Sequence, residues 1–332
     1  MRTRLRRLAL SVGLSGVLLT GYAAHQQPQS SAAASKSVTF VTDVGGLNDN
    51  GFNHLGYIGT LMGARAVHYT PHYIETTSSS DYVKNLTLAA QQSQVVVAVG
   101  FSFSTALPTV AAKYPKVRFT IIDFNYSPSP KNILGNLFAP EQSSYLAGIL
   151  AAGVSKTHTI GFVGGQTGPV IKAFQAGFTV GAKSYDPSVR VLSAYTGSFT
   201  DQSQGSVTAN QEISAGADVI FPAAGASGLG ALATADQKRV FSIGVDADQH
   251  YLHPKTVLSS VVKHVEVAVA SAIEADGAGH FTSGTRFWTL KNDGVGLAPY
   301  YNLSARVPAK VKSAITKARQ GIVNGVIKVP TR

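Results

Sequence analysis

From residue 38 the chain alternates between two patterns. Short runs of consecutive apolar, largely β-branched residues (VTFVT, QVVVAV, VRFTII) are separated by stretches near 52–66, 80–93 and 103–113 whose apolar positions recur at helical spacing. A longer helical segment, QSSYLAGILAAGV, then leads into a second set: HTIGFVG, VRVLSAY, ADVIFPA and RVFSIGV, with helices near 168–184, 201–215 and 227–236. Uninterrupted apolar strands alternating with helices predict parallel sheets covered on both faces, and two such sets predict two doubly wound α/β lobes. The late elements are VLSSVV (257–262), the helical HVEVAVASAIEA, the strand RFWTL and a final amphipathic helix, VPAKVKSAITKARQGIVNG. They are expected to cross back between the lobes as hinge connections. Residues 36–140 are assigned to an N-terminal lobe completed by about 247–285. Residues 141–246 are assigned to a C-terminal lobe completed by about 286–330.

Residues 1–35 stand apart. MRTRLRR is a basic lead, LALSVGLSGVLLT is an apolar stretch short for a membrane span, and HQQPQSSAAASKS has the composition of a flexible tether. This is the pattern of an export signal peptide, with Ala23 or Ala34 as small-residue cleavage points, and the protein is expected outside the cytoplasm. An uncleaved N-terminal anchor is the alternative.

A length of 332 residues suits two domains, and 44% hydrophobic against 14% charged residues leaves ample material for their cores. The net charge of +11 is inflated by Arg2, Arg4, Arg6 and Arg7. The remaining basic residues are scattered, apart from a mild cluster from Lys310 to Lys328. No basic patch with interleaved aromatics argues for nucleic acid. The chain contains no cysteine, which removes disulfides, thiol catalysis and cysteine-based zinc sites. There is no P-loop and no GxSxG elbow. NDNGFN lacks the glutamate that closes a calcium loop. No cofactor or metal is expected, and an enzyme such as a nucleoside hydrolase is a minor alternative.

In open α/β sheets ligands bind beyond the carboxyl ends of the strands. There this sequence places Asp43, Gly100-Phe101, Asp123, Gly164-Gly165, the segment Gly197 to Asp201, the segment Gly225 to Gly228, Asp246 and Lys263. Each has an ordinary reading as a cap, a turn or core. Together they put carboxylates, ring faces, close-approach glycines and one lysine on a single rim. Carboxylates there can accept hydrogen bonds from vicinal hydroxyls, and aromatic rings can stack on a flat ligand. On these residues alone a sugar or another small molecule fits as well as a nucleoside.

The ordered series TDVGGLNDNGFN, PKVRFTIID, APEQSSYLAG, GFVGGQTGPVIKAFQAGF, TGSFTD, GADVIFPAAGASGLG, IGVDADQ and SSVVKHVEVAV, spanning roughly residues 36–330, resembles the basic membrane protein family of PnrA-like substrate-binding proteins. The resemblance implies a type I periplasmic-binding-protein fold and a monomeric receptor that delivers a purine nucleoside to the permease and ATPase subunits of an ABC importer. It implies that Phe52 and Phe199 sandwich the base, that Asp43 and Asn53 meet its polar edge, and that Asp123 and Asp246 hold ribose hydroxyls. Lys263 and the loop from Gly225 to Gly228 would complete the sugar end. Some relatives, of the Med type, are regulators of competence, which makes a membrane-associated regulatory role an alternative. The chain departs from the family pattern at Asn48, Gly51 and His54. Leu19-Thr20-Gly21 is followed by Tyr22 where lipoproteins carry the lipid-bearing cysteine.

Overall fold

A computed structural model describes residues 36–332; the expected signal segment lies outside the described residues. The first run of elements is β1 (Ser37–Val41), α1 (Phe52–Val67), β2 (Thr70–Ile74), α2 (Tyr82–Gln92), β3 (Val95–Val99), α3 (Ala106–Lys113), β4 (Arg118–Ile122) and β5 (Ile133–Phe138). The second run is α4 (Pro140–Val154), β6 (Thr159–Gly164), α5 (Pro169–Tyr185), β7 (Arg190–Tyr195), α6 (Gln202–Ser214), β8 (Val219–Ala223), α7 (Ala226–Lys238), β9 (Phe241–Asp246) and β10 (Val257–Lys263). The chain finishes with α8 (Val265–Gly277), β11 (Gly284–Trp288), β12 (Val295–Leu297) and α9 (Ala309–Val323).

These strands form two six-stranded sheets, ordered β11-β5-β4-β3-β1-β2 and β12-β10-β9-β8-β6-β7. Pairing is parallel throughout except where β12 runs antiparallel to β10. The central strands β1, β3 and β8 are buried along their whole length because helices cover both faces, which is why they read as unbroken apolar runs. The result is two parallel α/β lobes of the periplasmic-binding-protein type I architecture.

The lobe boundaries differ from those expected. β10 was placed with the first lobe, but it pairs with β9 and β12 in the second sheet, and only α8 packs on the first lobe, against α1. β11, placed with the second lobe, pairs with β5 in the first sheet. An apolar run carries no information about which sheet edge it joins. The chain therefore passes between lobes at β5 to α4, at β10 to α8, and between β11 and β12. Three strands were not anticipated, the short β12 among them. β2 (TPHYI) is an exposed edge with a proline in it, and β5 (ILGNLF) interrupts its apolar run with Gly135 and Asn136.

Helix α4 begins the second lobe and packs closely on α5. Gly148, Gly177 and Gly181 allow that approach: a Cβ at any of them would overlap backbone atoms of Phe178, Glu141 or Tyr145. We expect Gly181→Ala to lower stability by about 1–3 kcal/mol through overpacking, read as a fall in the urea midpoint.

Candidate functional site

Strand ends of both sheets converge on a cleft holding about 550 Å³ of atom-free space, part of it open to solvent. Asp123, just past β4, and Asp246, the last residue of β9, both adopt left-handed backbone, with φ of 65° and 62°. That conformation is uncommon for a residue with a Cβ, and its appearance at equivalent strand ends of the two lobes turns both carboxylates to the cleft wall.

The loop between β1 and α1 is fixed by a small polar network. The Asp49 carboxylate accepts from the backbone N–H groups of Gly51 (3.0 Å), Asn53 (2.8 Å) and His54 (3.1 Å), filling the start of α1 with negative charge. The Asn53 amide nitrogen donates to Asp43 Oδ1 at 2.8 Å and to Asp49 Oδ2 at 3.1 Å, and its oxygen accepts from the Asp43 N–H at 3.1 Å. Both amide hydrogens are thereby occupied inside the protein. Asn53 lines the cleft but holds Asp43 rather than offering a free donor. Asp43 Oδ1 also accepts from the Gly45 N–H at 2.8 Å, which leaves Oδ2 as its open oxygen. Burial pushes the Asp43 carboxyl up to about 6, opposed by these hydrogen bonds. Burial likewise raises Asp49.

Across the cleft Lys263, at the end of β10, is 2% exposed. Its Nζ lies 2.5 Å from Asp123 Oδ2, 4.5 Å from the centre of the Phe52 ring and 5.0 Å from that of Phe138. Asp246 Oδ1 is buried with no hydrogen-bond partner. Its carboxyl is pushed up to about 7 by burial, with Lys263 pulling the other way.

The Phe199 ring rests on Gly165, where any Cβ would strike it, and Gly225, at φ 56°, lies against the Phe199 backbone. Phe52 lies by Gly100, on the other side of the cleft. Asp43, Phe52, Asn53, Asp123, Phe199, Gly225, Asp246 and Lys263 all line the cleft. Gly228 does not: it sits in the first turn of α7 facing Pro222 and Ala224, and its N–H closes a turn on the Gly225 carbonyl. The lining residues not anticipated are Asp49, Val170, Ile171, Phe174, Ala223 and Val245. Phe101, read from the sequence as a rim residue without an assigned contact, also lines the cleft. Asp49 could have been taken from its spacing just ahead of a helix start. The three residues of α5 carry no signal beyond an ordinary apolar helix face.

The lobes touch at the rim. Gln249 Nε2 donates to the Asn50 carbonyl at 3.1 Å, and the Tyr251 hydroxyl donates to Asn50 Oδ1 at 2.9 Å. Phe101 of the first lobe lies beside Gly168 of the second. Among the described residues no group of three or more histidine, aspartate or glutamate side chains is arranged to hold a metal ion.

Residues 36–332 match the family described as ABC transporter substrate-binding protein PnrA-like. The chain belongs to that family. It is a solute-binding protein of an ABC transporter, in a family of binding proteins rather than enzymes. A relative from Lactococcus lactis subsp. cremoris (strain MG1363), named ABC transporter nucleoside-binding protein BmpA, is 32% identical with both chains covered in full. A solved ABC transporter solute-binding protein from Aeropyrum pernix K1 superposes with a TM-score of 0.84 at 25% identity, covering 90% of this chain and 94% of that one. A solved transcriptional activator of the comK gene from Bacillus halodurans has a TM-score of 0.74 at 22% identity, covering 89% and 99%; this is a likeness of fold alone.

The raised carboxyls make stability depend on pH. Unfolded, Asp43 and Asp246 titrate near 3.8; folded, at about 6 and about 7, so between these values the folded chain binds more protons. Their contribution is full below the unfolded value and is lost as pH rises through 6 to 7. Buried Glu141 (about 7) and Glu212 (about 8) act in the same direction. The ligand-free protein should therefore show a higher urea midpoint near pH 5 than near pH 8, with a shallower slope in Asp246→Asn.

Proposed function

We propose that the protein is the extracytoplasmic receptor of an ABC importer and that its cargo is a purine nucleoside bound between the two lobes. The observation that carries this reading is the buried Asp246 carboxylate, with one oxygen unpartnered, in a cleft flanked by Phe52 and Phe199. A buried acceptor without a donor is costly, and a ligand hydroxyl supplies the donor. Two aromatic side chains on opposite lobes suit a flat heterocycle, and closing the lobes would bring the two rings onto its faces.

The charge of the cleft narrows the ligand class. Asp43, Asp49, Asp123 and Asp246 face a single lysine. Such a site favours a neutral ligand rich in O–H and N–H donors and works against a phosphorylated one. Asp43 Oδ2 is the acceptor offered to the heterocycle edge, held in place through Asn53. Asp123 and Asp246 are the acceptors offered to the sugar, with Lys263 fixing Asp123. The relative named as nucleoside-binding supports the same class.

Calorimetric titration of ligand-free protein with adenosine, guanosine, inosine, cytidine and ribose tests this. Saturable binding of the purine nucleosides is expected, with ribose far weaker. A folded protein that binds none of them sinks the reading. Phe199→Ala and Phe52→Ala should each cost about 1–3 kcal/mol of binding, roughly 5–150-fold in Kd, with the fold retained. The Phe52 change should cost more, because it also frees one face of Lys263.

A further inference from the structure

The cleft does not end at Asp123. A second compartment, with about 850 Å³ of atom-free space partly open to solvent, adjoins the first and shares Phe101, Asp123 and Val170 with it. It too lies between the lobes. Phe124 and Asn125 come from the first, and Pro169 and Ala173 from the second. The remaining wall is largely apolar, from Leu137, Phe138 and Pro140, with the small polar side chains of Ser104 and Thr331. Its charged side chains are Asp123 and Glu141, and no lysine or arginine lines it.

Asp123 is the border between the compartments, and in the reading above Asp123 belongs to the sugar end. A ribose held by carboxylates on its vicinal 2′ and 3′ hydroxyls can carry an extension without losing those contacts only at the 5′ carbon. We infer that the cleft accepts purine nucleosides bearing an uncharged, largely apolar substituent at the 5′ position, such as a thioether, and that this second compartment houses the substituent. The inference rests on the nucleoside reading and adds to it the class of nucleoside. The apolar wall gains by covering a thioether or alkyl group. A phosphate in the same place would lose its hydration against that wall and face Glu141 and Asp123. Burial raises the Glu141 carboxyl to about 7, so its charge is present on the alkaline side of neutrality.

The test is calorimetry on ligand-free protein at about pH 8, where Glu141 is ionised, with adenosine, 5′-deoxy-5′-methylthioadenosine and adenosine 5′-monophosphate. The methylthio compound should bind at least as tightly as adenosine, and the monophosphate about 100-fold or more weaker. Ala173→Phe fills the second compartment and leaves the first untouched. It should weaken the methylthio compound about tenfold or more while adenosine stays within about twofold. Should Ala173→Phe fail to fold, as judged by its thermal transition, Glu141→Gln serves instead. It should raise monophosphate affinity about tenfold and leave adenosine unchanged. Adenosine binding with the methylthio compound more than about tenfold weaker overturns the inference and leaves the nucleoside reading standing. A monophosphate as tight as adenosine also overturns it, as does a Glu141→Gln protein with unaltered monophosphate affinity. Absence of binding by every purine nucleoside overturns both.

Discussion

One buried cation organises the cleft. Lys263 comes from the end of β10 in the second lobe, yet its ammonium sits on Asp123 of the first and against the faces of Phe52 and Phe138. Removing two charges from water is expensive, and such a pair persists only with close geometry and further partners. Here the partners are ring faces on two sides and the nearby Asp246. Without Lys263 the strand-end carboxylates would be buried together with nothing to offset them. The lysine thereby packs against the Phe52 ring and holds the Asp123 carboxylate in place. It also ties the two sheets together beside a point where the chain crosses between them.

The remaining polar residues follow from the same difficulty of burying carboxylates. Asp49 satisfies its charge on the first turn of α1 and through the Asn53 amide. Asp43 satisfies one oxygen on Asn53 and Gly45. Asp246 keeps a buried oxygen with no partner at all. The site is thus graded from fully satisfied to open. The open positions, Asp43 Oδ2 and Asp246 Oδ1, are where a ligand has something to supply.

Much of this could be read from the chain. Central strands such as VVVAV and VIFPA declare themselves because burial on both faces forces an unbroken apolar run. The rule that ligands gather at strand ends then located Asp43, Asp123, Phe199, Asp246 and Lys263 without coordinates. The edge strand β2 was hidden because an exposed edge needs no apolar residues. The assignment of β10 and β11 was hidden because strand neighbours are chosen by tertiary packing. Asn53 lines the cleft, but its hydrogen bonds to two carboxylates depend on Asp43 and Asp49 being folded beside it. Gly228 was read as part of a ligand loop, but of the two glycines only Gly225, at positive φ, lines the cleft.

The chain crosses between the lobes three times, at β5 to α4, β10 to α8 and β11 to β12. A single connecting strand would let one lobe swivel as well as tilt. Parallel tethers resist torsion much as several pins in one hinge do, leaving a single bending coordinate. The rim contacts of Asn50 with Gln249 and Tyr251 join the two lobes at the cleft edge. Any tilt of one lobe against the other along that coordinate brings the same atoms back into register.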